Sequence, residues 1–346
     1  MEKLRIGIVG AGNIAQSAHL PAYMERDDVE IVAIADLNLQ RAKDAAALFG
    51  VPNAYETVDE LLANAEVDAI DICVWNRSHS DVAIKAARAG KHILCEKPMA
   101  LNMEHAYAMK DAVEKAGVIF MMAMPNRYRS EYMLVREMVD ADELGEIYYA
   151  KAVSVRRRGT PLGWFTDTKK SGGGPVIDIG VHCVDRTWFL MGCPKPVRVS
   201  AMTSSRIGDY QTKGVDRWIA LDSDVTAFDT EDSAAAIIHF ENGACMLVET
   251  SWALNTAPED YTLVCGTKAG ARIDDDIMIY GEVMGYLTDN KPTVKKNNPF
   301  AEEIDHFIDC VRTGKPVKST LNHGLEVQKM LCGIYESAEK KREITL

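Results

Sequence analysis

The sequence predicts two domains, an α/β domain built on a doubly wound parallel sheet and an α+β domain with a mainly antiparallel open sheet. The chain has 346 residues, more than one hydrophobic core usually serves. Its first third alternates short apolar runs with helical stretches, and the remainder is rich in β runs separated by turns. The rhythm changes near Ala123, so we place the domains at residues 1–122 and 123–346.

Strands and helices alternate throughout the predicted first domain. Its first apolar run, Leu4–Val9, is bounded by glycine, as a buried parallel strand should be. The alternation requires parallel strands joined by right-handed crossovers. The predicted strands are 4–9, 30–35, 68–74, 92–95 and 118–122, and the predicted helices are 14–26, 39–49, 59–65, 80–89 and 106–116.

The predicted second domain begins with a helix and continues mostly in strands. Ser171-Gly172-Gly173-Gly174-Pro175 breaks the chain, and Pro175 suits the first turn of a helix that runs to about Met191. Glu241-Asn242-Gly243 is a hairpin turn between two β runs. The predicted strands are 146–155, 234–240, 244–252, 260–265 and 271–273, and the predicted helices are 130–139, 175–191, 300–312 and 325–340.

Charge and composition exclude several classes of protein. The formal net charge is −12, and an acidic surface repels phosphate backbones, so we expect neither a nucleic-acid nor a membrane partner. No apolar run is long enough to span a bilayer, and no secretory leader is recognisable. The eight cysteines show no C-x-x-C pair or zinc-ligand spacing. We therefore expect reduced thiols, a cytoplasmic setting and no metal.

A glycine-rich segment follows the first predicted strand. Gly10-Ala11-Gly12-Asn13-Ile14-Ala15 fits G-x-G-x-x-A and opens the first helix. In this motif the first glycine permits a tight turn, the second lets a pyrophosphate approach the backbone, and the small last residue lets helix and strand pack closely. The order of strand, turn and helix predicts a Rossmann dinucleotide site with contacts from Gly10, Gly12, Asn13 and Ile14. A plain β–α turn is the structural alternative.

Asp36 ends the second predicted strand. An acidic side chain at this place can accept hydrogen bonds from the adenosine ribose, and it would repel a 2′-phosphate. NAD is therefore expected rather than NADP. Arg41 and Lys43 follow closely along the chain and keep NADP open, and a helix cap or turn aspartate is the structural alternative.

Lys97 lies in Cys95-Glu96-Lys97-Pro98, directly after a predicted strand. Open parallel sheets bind ligands beyond the carboxyl ends of their strands. A lysine ammonium there could hydrogen-bond a substrate hydroxyl or ketone and assist proton transfer. The alternative is an ordinary surface lysine in a loop.

Asp178 and His182 lie four residues apart in the helix that Pro175 begins, so they project from one face. Asp185 follows three residues later on the same stripe. A carboxylate beside an imidazole can fix its tautomer and stabilise its charged form, as a general base requires. A helix cap for Asp178 and a satisfied core histidine for His182 are the alternatives.

In combination, these motifs resemble the glucose–fructose oxidoreductase / inositol dehydrogenase family (Gfo/Idh/MocA). The resemblance rests on the glycine-rich turn, Glu96-Lys97-Pro98 and the G-G-G…D-x-G-x-H…D pattern at 172–185, and it covers essentially the whole chain. It implies an NAD-dependent oxidoreductase acting on a secondary alcohol of a sugar, sugar acid or cyclitol. His182 would take the hydroxyl proton and Lys97 would polarise the oxygen, with Asp178 beside them. A homodimer or homotetramer formed through the open sheet face is also implied.

The resemblance adds cofactor contacts around the third and fourth predicted strands. Asn76-Arg77-Ser78-His79 is similar to the family's N-x-x-H segment near the cofactor. Asn76 and His79 are therefore expected cofactor contacts, together with Glu96 and Lys97. Trp75 stands where relatives often have proline, and it either covers the nicotinamide or packs in the core.

Four further residues are candidate substrate contacts. Arg127 begins the second domain and is either a substrate or cofactor contact or a salt-bridged linker residue. Arg156 and Arg158 point to one face by strand periodicity, and on a site-facing strand they would suit a carboxylate- or phosphate-bearing substrate. Trp164 matches a family tryptophan, whereas Phe165 departs from the arginine that often follows it.

Two other functions stay open on this sequence. A relative of this kind could use transient oxidation to cleave a glycosidic bond, with no net change in NAD. A non-enzymatic regulator that senses a sugar or nucleotide could share the scaffold. The complete set of Lys97, Asp178 and His182 argues against the regulator, which would not need it.

Overall fold

The computed structural model describes residues 2–220 and 227–346. Its contacts divide the chain into two compact units. One comprises Met1–Pro125 and Asn298–Leu325, and the other comprises Asn126–Asn297 and Glu326–Leu346. The predicted division at residues 1–122 and 123–346 differs from these units chiefly in the segment Asn298–Leu325, which packs with the first unit.

The first unit contains a six-stranded sheet in which all neighbouring strands are parallel. Its order, β3-β2-β1-β4-β5-β6, is that of a doubly wound dinucleotide-binding sheet and confirms the predicted α/β class. The order reverses between β1 and β4, where such sheets bind ligands. The strands are β1 Leu4–Val9, β2 Val29–Ala35, β3 Asn53–Tyr55, β4 Ala69–Ile72, β5 His92–Glu96 and β6 Phe120–Ala123.

Side-chain caps begin three of the helices of the first unit. Asn38, Thr57 and Asn102 each accept a hydrogen bond from a backbone N–H of the first turn. Gly50 and Gly117, in the left-handed conformation, end α2 and α5. The helices are α1 Leu20–Met24, α2 Leu39–Phe49, α3 Val58–Asn64, α4 His79–Arg88 and α5 Met103–Ala116.

The helix predicted at 14–26 is not a regular α-helix. Its central part, Ala15–His19, is a π-helical turn, and only Leu20–Met24 is α-helical. The N–H of Leu20 bonds the carbonyl of Ala15, five residues back. Pro21 follows and has no N–H, so the regular bonding pattern cannot continue through it.

The second unit contains a nine-stranded sheet in the order β14-β13-β12-β11-β7-β10-β9-β8-β15. Only the pair β7 and β10 is parallel, so the prediction of a mainly antiparallel sheet is confirmed. Strands β8 and β13 to β15 were not predicted. The elements are α6 Ser130–Asp140, β7 Ile147–Val155, α7 Thr168–Ser171, α8 Val181–Leu190, β8 Pro196–Ser204, β9 Ser233–Phe240, β10 Cys245–Ser251, β11 Glu259–Gly266, β12 Gly270–Ile273, β13 Ile277–Val283, β14 Tyr286–Asn290 and β15 Ile344–Thr345.

Two long helices close the chain, α9 Pro299–Thr313 and α10 Leu321–Lys340. The apolar stripe of α9, formed by Ile304, Phe307 and Ile308, is buried in the core of the first unit. Ser319 then exchanges hydrogen bonds with Met122 of β6 through its backbone carbonyl and its hydroxyl. These contacts explain why Asn298–Leu325 belongs to the first unit. Within the described part of the chain, no helix has both the length and the apolar character needed to cross a bilayer.

Replacement of Phe307 tests the place of α9 in the first unit. Phe307→Ala removes a fully buried ring and should lower the free energy of unfolding by about 3–5 kcal/mol. Hydrogen exchange should accelerate in β1 and β6 more than in β9 and β10. Glu302→Ala, on the exposed side of the same helix, should change stability by less than about 0.5 kcal/mol. Equal acceleration in both sheets would contradict the assignment.

Candidate active site

The glycine-rich turn after β1 passes very close to the end of β4. Gly10 has a φ of +97°, and a Cβ on it would lie 2.4 Å from the carbonyl oxygen of Cys73. A Cβ on Gly12 would meet no atom within 4 Å. Ala15 is fully buried against the sheet. The first glycine and the alanine therefore serve the fold, whereas Gly12 leaves open backbone.

These features fit the pyrophosphate of a dinucleotide. Asn13 is exposed and Ile14 is half-buried at the start of the helical segment. The first backbone N–H groups of a helix lack partners within the helix, and they attract anions. Open backbone at Gly12 next to these groups is the arrangement that a phosphate needs.

Asp36, directly after β2, is buried and accepts four hydrogen bonds. Its Oδ2 accepts from the N–H of Ala11 at 2.8 Å and from Nε of Arg41 at 2.9 Å. Its Oδ1 accepts from the N–H of Asn38 at 2.8 Å and from Nη2 of Arg41 at 2.7 Å. The carboxylate thus ties the glycine-rich turn to α2. Asp36, an acidic residue that favours NAD, and Arg41, a cation that suits a 2′-phosphate, therefore lie together at the end of β2.

The segment after β4 is joined to the segment after β5 by His79. Its Nδ1 lies 2.6 Å from the carbonyl oxygen of Pro98, and its Nε2 lies 3.0 Å from that of Val74. Burial lowers the pKa of His79, so the neutral ring donates one hydrogen bond, which we assign to the shorter contact. Asn76 is buried at the start of a 3₁₀ turn, and Trp75, just before it, is half-buried.

Lys97 follows β5 directly, at the carboxyl edge of the parallel sheet. It is half-buried between buried neighbours, and its backbone N–H donates to Oε2 of Glu96 at 3.1 Å. The carboxyl of Glu96 is itself buried, with Oε1 3.1 Å from Nε2 of His19. Glu96, predicted as a cofactor contact, is engaged here with the protein, and His19 was not predicted as a site residue.

Asp178 and His182 belong to the second unit, on a helical segment that changes its hydrogen bonding. Val176–Gly180 is a π-helical turn and α8 begins at Val181. Both side chains are half-buried among buried apolar residues. Oδ2 of Asp178 accepts a hydrogen bond from Nε1 of Trp252 at 2.9 Å. π-Helical turns occur frequently at functional sites, and this one fixes a carboxylate through an indole.

Asp185, the third polar residue of the predicted stripe, is buried and paired with Arg127. Nη2 of Arg127 lies 2.6 Å from Oδ1 of Asp185, and Nε lies 3.0 Å from Oδ2. The guanidinium also lies 5.0 Å from the centre of the Phe189 ring. Arg127 is fully buried. This geometry favours the salt-bridge alternative for Arg127 over the predicted substrate contact.

Two of the three glycines before the π-helical turn are explained by Tyr335 and Glu231. A Cβ on Gly173 would lie 2.0 Å from the hydroxyl of Tyr335, and one on Gly174 would lie 2.2 Å from the carbonyl oxygen of Glu231. The Glu231 carboxyl accepts hydrogen bonds from the N–H groups of Gly174 at 2.8 Å and Val176 at 3.1 Å, and from Tyr335 at 2.8 Å. Burial raises the pKa of Glu231, and these donors oppose the shift.

Glu231 therefore holds the beginning of the helix that bears Asp178 and His182. Sequence reasoning missed both Glu231 and Tyr335, which lie 104 residues apart. No local pattern around either residue points to the other. The run of consecutive glycines was the one local signal that could have indicated close neighbours, because a side chain at these positions would meet other atoms.

Arg158 and Trp164 lie on the segment that follows β7. Arg158 pairs through its backbone with Ala253, next to Trp252, and its Nη2 donates to Oδ1 of Asn255 at 2.7 Å. The ring of Trp164 stacks on Phe165 at a centroid distance of 4.0 Å. The edge of Phe165 meets Trp218 at 5.4 Å. Arg158 thus adjoins the strand end that reaches Asp178, and Trp164 forms part of an aromatic group.

Comparison with known proteins agrees with this geometry. Residues 4–124 match the model of the oxidoreductase family with an NAD-binding Rossmann fold, and residues 132–272 match the GFO/IDH/MocA C-terminal domain. The chain belongs to the Gfo/Idh/MocA oxidoreductase family. It is an NAD(P)-dependent dehydrogenase of CH–OH groups, and the resemblance inferred from the motifs is confirmed.

Named relatives of this dehydrogenase act on sugars and cyclitols. D-glucoside 3-dehydrogenase of Escherichia coli (strain K12) is 33% identical and aligns over 99% of this chain and 97% of its own. Myo-inositol 2-dehydrogenase of Thermotoga maritima is 24% identical over 99% and 98%. Among solved structures, aldose-aldose oxidoreductase from Caulobacter crescentus complexed with glycerol aligns over all of both chains, with a TM-score of 0.83 and 25% identity.

Replacement of Gly12 tests the dinucleotide turn. In Gly12→Ala the new methyl group meets no protein atom, so the free energy of unfolding should change by less than about 1 kcal/mol. The methyl group would stand where the pyrophosphate approaches, so the Kd for NAD should rise at least about tenfold by calorimetry. Gly281→Ala, in the second unit, is the control: its methyl group would make only ordinary contacts, at 3.9 Å, and should leave the Kd unchanged. An unchanged Kd in Gly12→Ala would remove Gly12 from the cofactor site.

Proposed function

We propose that this enzyme transfers hydride between NAD and a secondary alcohol of a sugar, sugar acid or cyclitol, with Lys97, Asp178 and His182 as its proton-transfer set. The main support is the placing of these residues on rigid elements of the two units. Lys97 follows β5 at the ligand-binding edge of the sheet, and Asp178 and His182 lie on the interrupted helix. Their meeting at one substrate carbon is part of the proposal.

Each of the three side chains has a separate role. His182 accepts the proton of the substrate hydroxyl as general base. The ammonium of Lys97 donates a hydrogen bond to the same oxygen and stabilises the negative charge that develops there. Asp178, held by the indole of Trp252, stabilises the imidazolium that His182 becomes. NAD, when bound, supplies the hydride acceptor.

The preference for NAD over NADP rests on Asp36. Its buried carboxylate lies at the end of β2. There it would accept hydrogen bonds from the adenosine ribose hydroxyls of NAD and would repel the 2′-phosphate of NADP. Arg41 partly neutralises this carboxylate, so we propose that NAD is preferred and that NADP is a weaker alternative. Contacts with the cofactor from Asn13, Ile14, Trp75, Asn76, His79 and Glu96 belong to the same proposal.

We also propose that the enzyme forms a homodimer or homotetramer through its nine-stranded sheet. Several large apolar side chains on this sheet are exposed, and a second copy of the chain packed on the sheet would cover them. They are Tyr148, Met202, Ile237 and Tyr280. A cytoplasmic location stays a prediction from the sequence.

Replacement of Lys97 tests the proton-transfer set. Lys97→Met should reduce turnover at least about a hundredfold, since it removes a positioned donor, while the Kd for NAD changes little. Lys115→Met is the control, because Lys115 is an exposed lysine of the same unit, and it should leave turnover unchanged. Stopped-flow measurement of NADH formation reads the chemical step. Near-normal turnover in Lys97→Met would remove Lys97 from the mechanism.

Two substitutions at the end of β2 test the choice of cofactor. Asp36→Ala should weaken NAD more than NADP, so the ratio of the two Kd values moves toward NADP. Arg41→Ala, which removes the cation and keeps the acid, should move the ratio the other way. The ratio is the readout because Asp36→Ala also deprives the Ala11 N–H of its acceptor. A ratio that stays constant in both variants would refute the ribose assignment.

A substrate panel tests the function as a whole. NADH absorbance would be followed with inositols, aldoses, sugar acids and glycosides, and a signal with one class would identify the substrate. Release of aglycone without net NADH would identify a redox-neutral glycosidase. If no substrate gave an NADH signal or released an aglycone, while calorimetry showed that NAD binds, a regulator would be favoured.

A further inference from the structure

A cluster of buried ionisable side chains lies beneath the carboxyl edge of the first sheet, centred on His19. The ring of His19 is fully buried, with Nδ1 2.7 Å from Oδ2 of Asp71 and Nε2 3.1 Å from Oε1 of Glu96. Asp71 is the one ionisable side chain of β4, and it is fully buried as well. The imidazole therefore joins β4 to the end of β5.

We propose that His19 is a positioning residue, a buried imidazolium that holds the carboxylates of Asp71 and Glu96 and, through Glu96, the backbone at Lys97. The inference rests on the proposed function, in which Lys97 acts on substrate. It extends that function to a side chain placed 77 residues before Glu96 and outside every motif of the sequence.

The hydrogen-bond pattern fits a His19 ring that donates from both nitrogens. Oδ2 of Asp71 lies against Nδ1, and Oδ1 of Asp71 accepts from the thiol of Cys73 at 3.6 Å. One carboxyl oxygen of Glu96 lies at hydrogen-bond distance from Nε2 of His19, and the other accepts a hydrogen bond from the N–H of Lys97. A neutral imidazole has one N–H, whereas this arrangement uses two.

The electrostatics of the cluster agree with the geometry. Burial lowers the pKa of His19, but Asp71 and Cys73 raise it, and the balance lies well above the ordinary value. Burial raises the pKa of Glu96, but His19 lowers it, and the balance lies below the ordinary value. The ionisable groups around the ring come from several elements: Asp71 and Cys73 from β4 and its end, Glu96 and Lys97 from β5 and its end, Tyr23 from α1, Glu303 from α9 and His79 from α4.

Burial favours the neutral forms of Glu303 and Cys73 in this cluster. Burial, with Glu96 nearby, raises the pKa of Glu303 well above its usual range, and its Oε1 accepts the N–H of Met124 at 2.5 Å. Burial and Asp71 raise the pKa of Cys73 to about 12. In the proposed state the cluster holds two carboxylates and the imidazolium between them, so removal of His19 would leave two buried negative charges without the cation that joins them.

A metal ion is the competing occupant. The ligand atoms of His19, Asp71 and Cys73 lie within 4.8 Å of one another. Both nitrogens of His19, however, lie at hydrogen-bond distance from carboxylate oxygens. A ring that donates an N–H to each of two carboxylates has no lone pair left to offer a metal ion.

The first test observes the imidazolium directly in the unsubstituted enzyme. Nitrogen NMR of ¹⁵N-histidine-labelled protein distinguishes a ring with two protonated nitrogens from a neutral ring. At pH 8 we expect His19 to show the imidazolium signature. His92 and His306 serve as internal references, because each accepts a backbone N–H on one nitrogen and burial lowers the pKa of each. A neutral His19 at pH 8, or one zinc ion bound per chain, would overturn the proposal.

The second test measures the effect of His19 on turnover. In His19→Gln the pKa of Glu96 should rise, so protonation of Glu96 should add to that of His182 and move the acid limb of the pH profile of kcat up by about one pH unit or more. kcat at neutral pH should fall at least about tenfold, with the Kd for NAD changed less than about threefold. His19→Gln with Asp71→Asn restores the charge balance and should return the acid limb toward its original position.

These readouts separate positioning from general damage to the fold. If His19 had a merely structural role, its replacement would lower kcat and weaken the binding of NAD together. The acid limb would stay in place, and Asp71→Asn would give no rescue. That result would falsify the proposal. If Lys97→Met kept its turnover, the proposed function would fail, while the NMR measurement would still decide the charge of His19.

Discussion

The close approach of the β1 turn to the end of β4 governs the arrangement of the first unit. The carbonyl of Cys73 occupies the space that a side chain on Gly10 would need. Because the turn lies against β4, the N–H of Ala11 reaches Asp36 after β2, and the following π-helical turn brings His19 onto Asp71. The ends of four strands, β1, β2, β4 and β5, are therefore linked by hydrogen bonds at the edge where Lys97 stands.

The two glycine-rich segments of the chain differ in what occupies the space beside their glycines. Gly12 borders open space, which suits a ligand that must touch backbone. Gly173 and Gly174 border Tyr335 and Glu231, so protein atoms already fill the space beside them. In both segments an acidic side chain from a distant strand end or loop accepts a backbone N–H just before the helical residues. Asp36 accepts from Ala11 in one unit, and Glu231 accepts from Gly174 in the other.

Local patterns in the sequence predicted much of the fold and part of the site. Alternating apolar runs predicted the parallel sheet, and the position of Lys97 after a strand placed it at the correct edge. The pairs of His19 with Asp71 and with Glu96 span 52 and 77 residues, and no periodicity links them. Arg127 was ambiguous because only tertiary packing reveals Asp185 as its partner. The apolar pattern of α9 predicted a helix, but it did not show which sheet the helix packs against. An apolar stripe carries no information about the surface that it covers.

The discontinuity of the first unit has a consequence for synthesis on the ribosome. All six strands of its sheet are translated by residue 123, yet Ile304, Phe307 and Ile308, which complete its core, emerge about 180 residues later. By then eight of the nine strands of the second sheet have left the ribosome. The nascent chain must therefore keep the first core open, with apolar surface uncovered, while most of the second sheet is already made. The first unit is thus completed only after most of the second unit has been made, although its sheet is translated first.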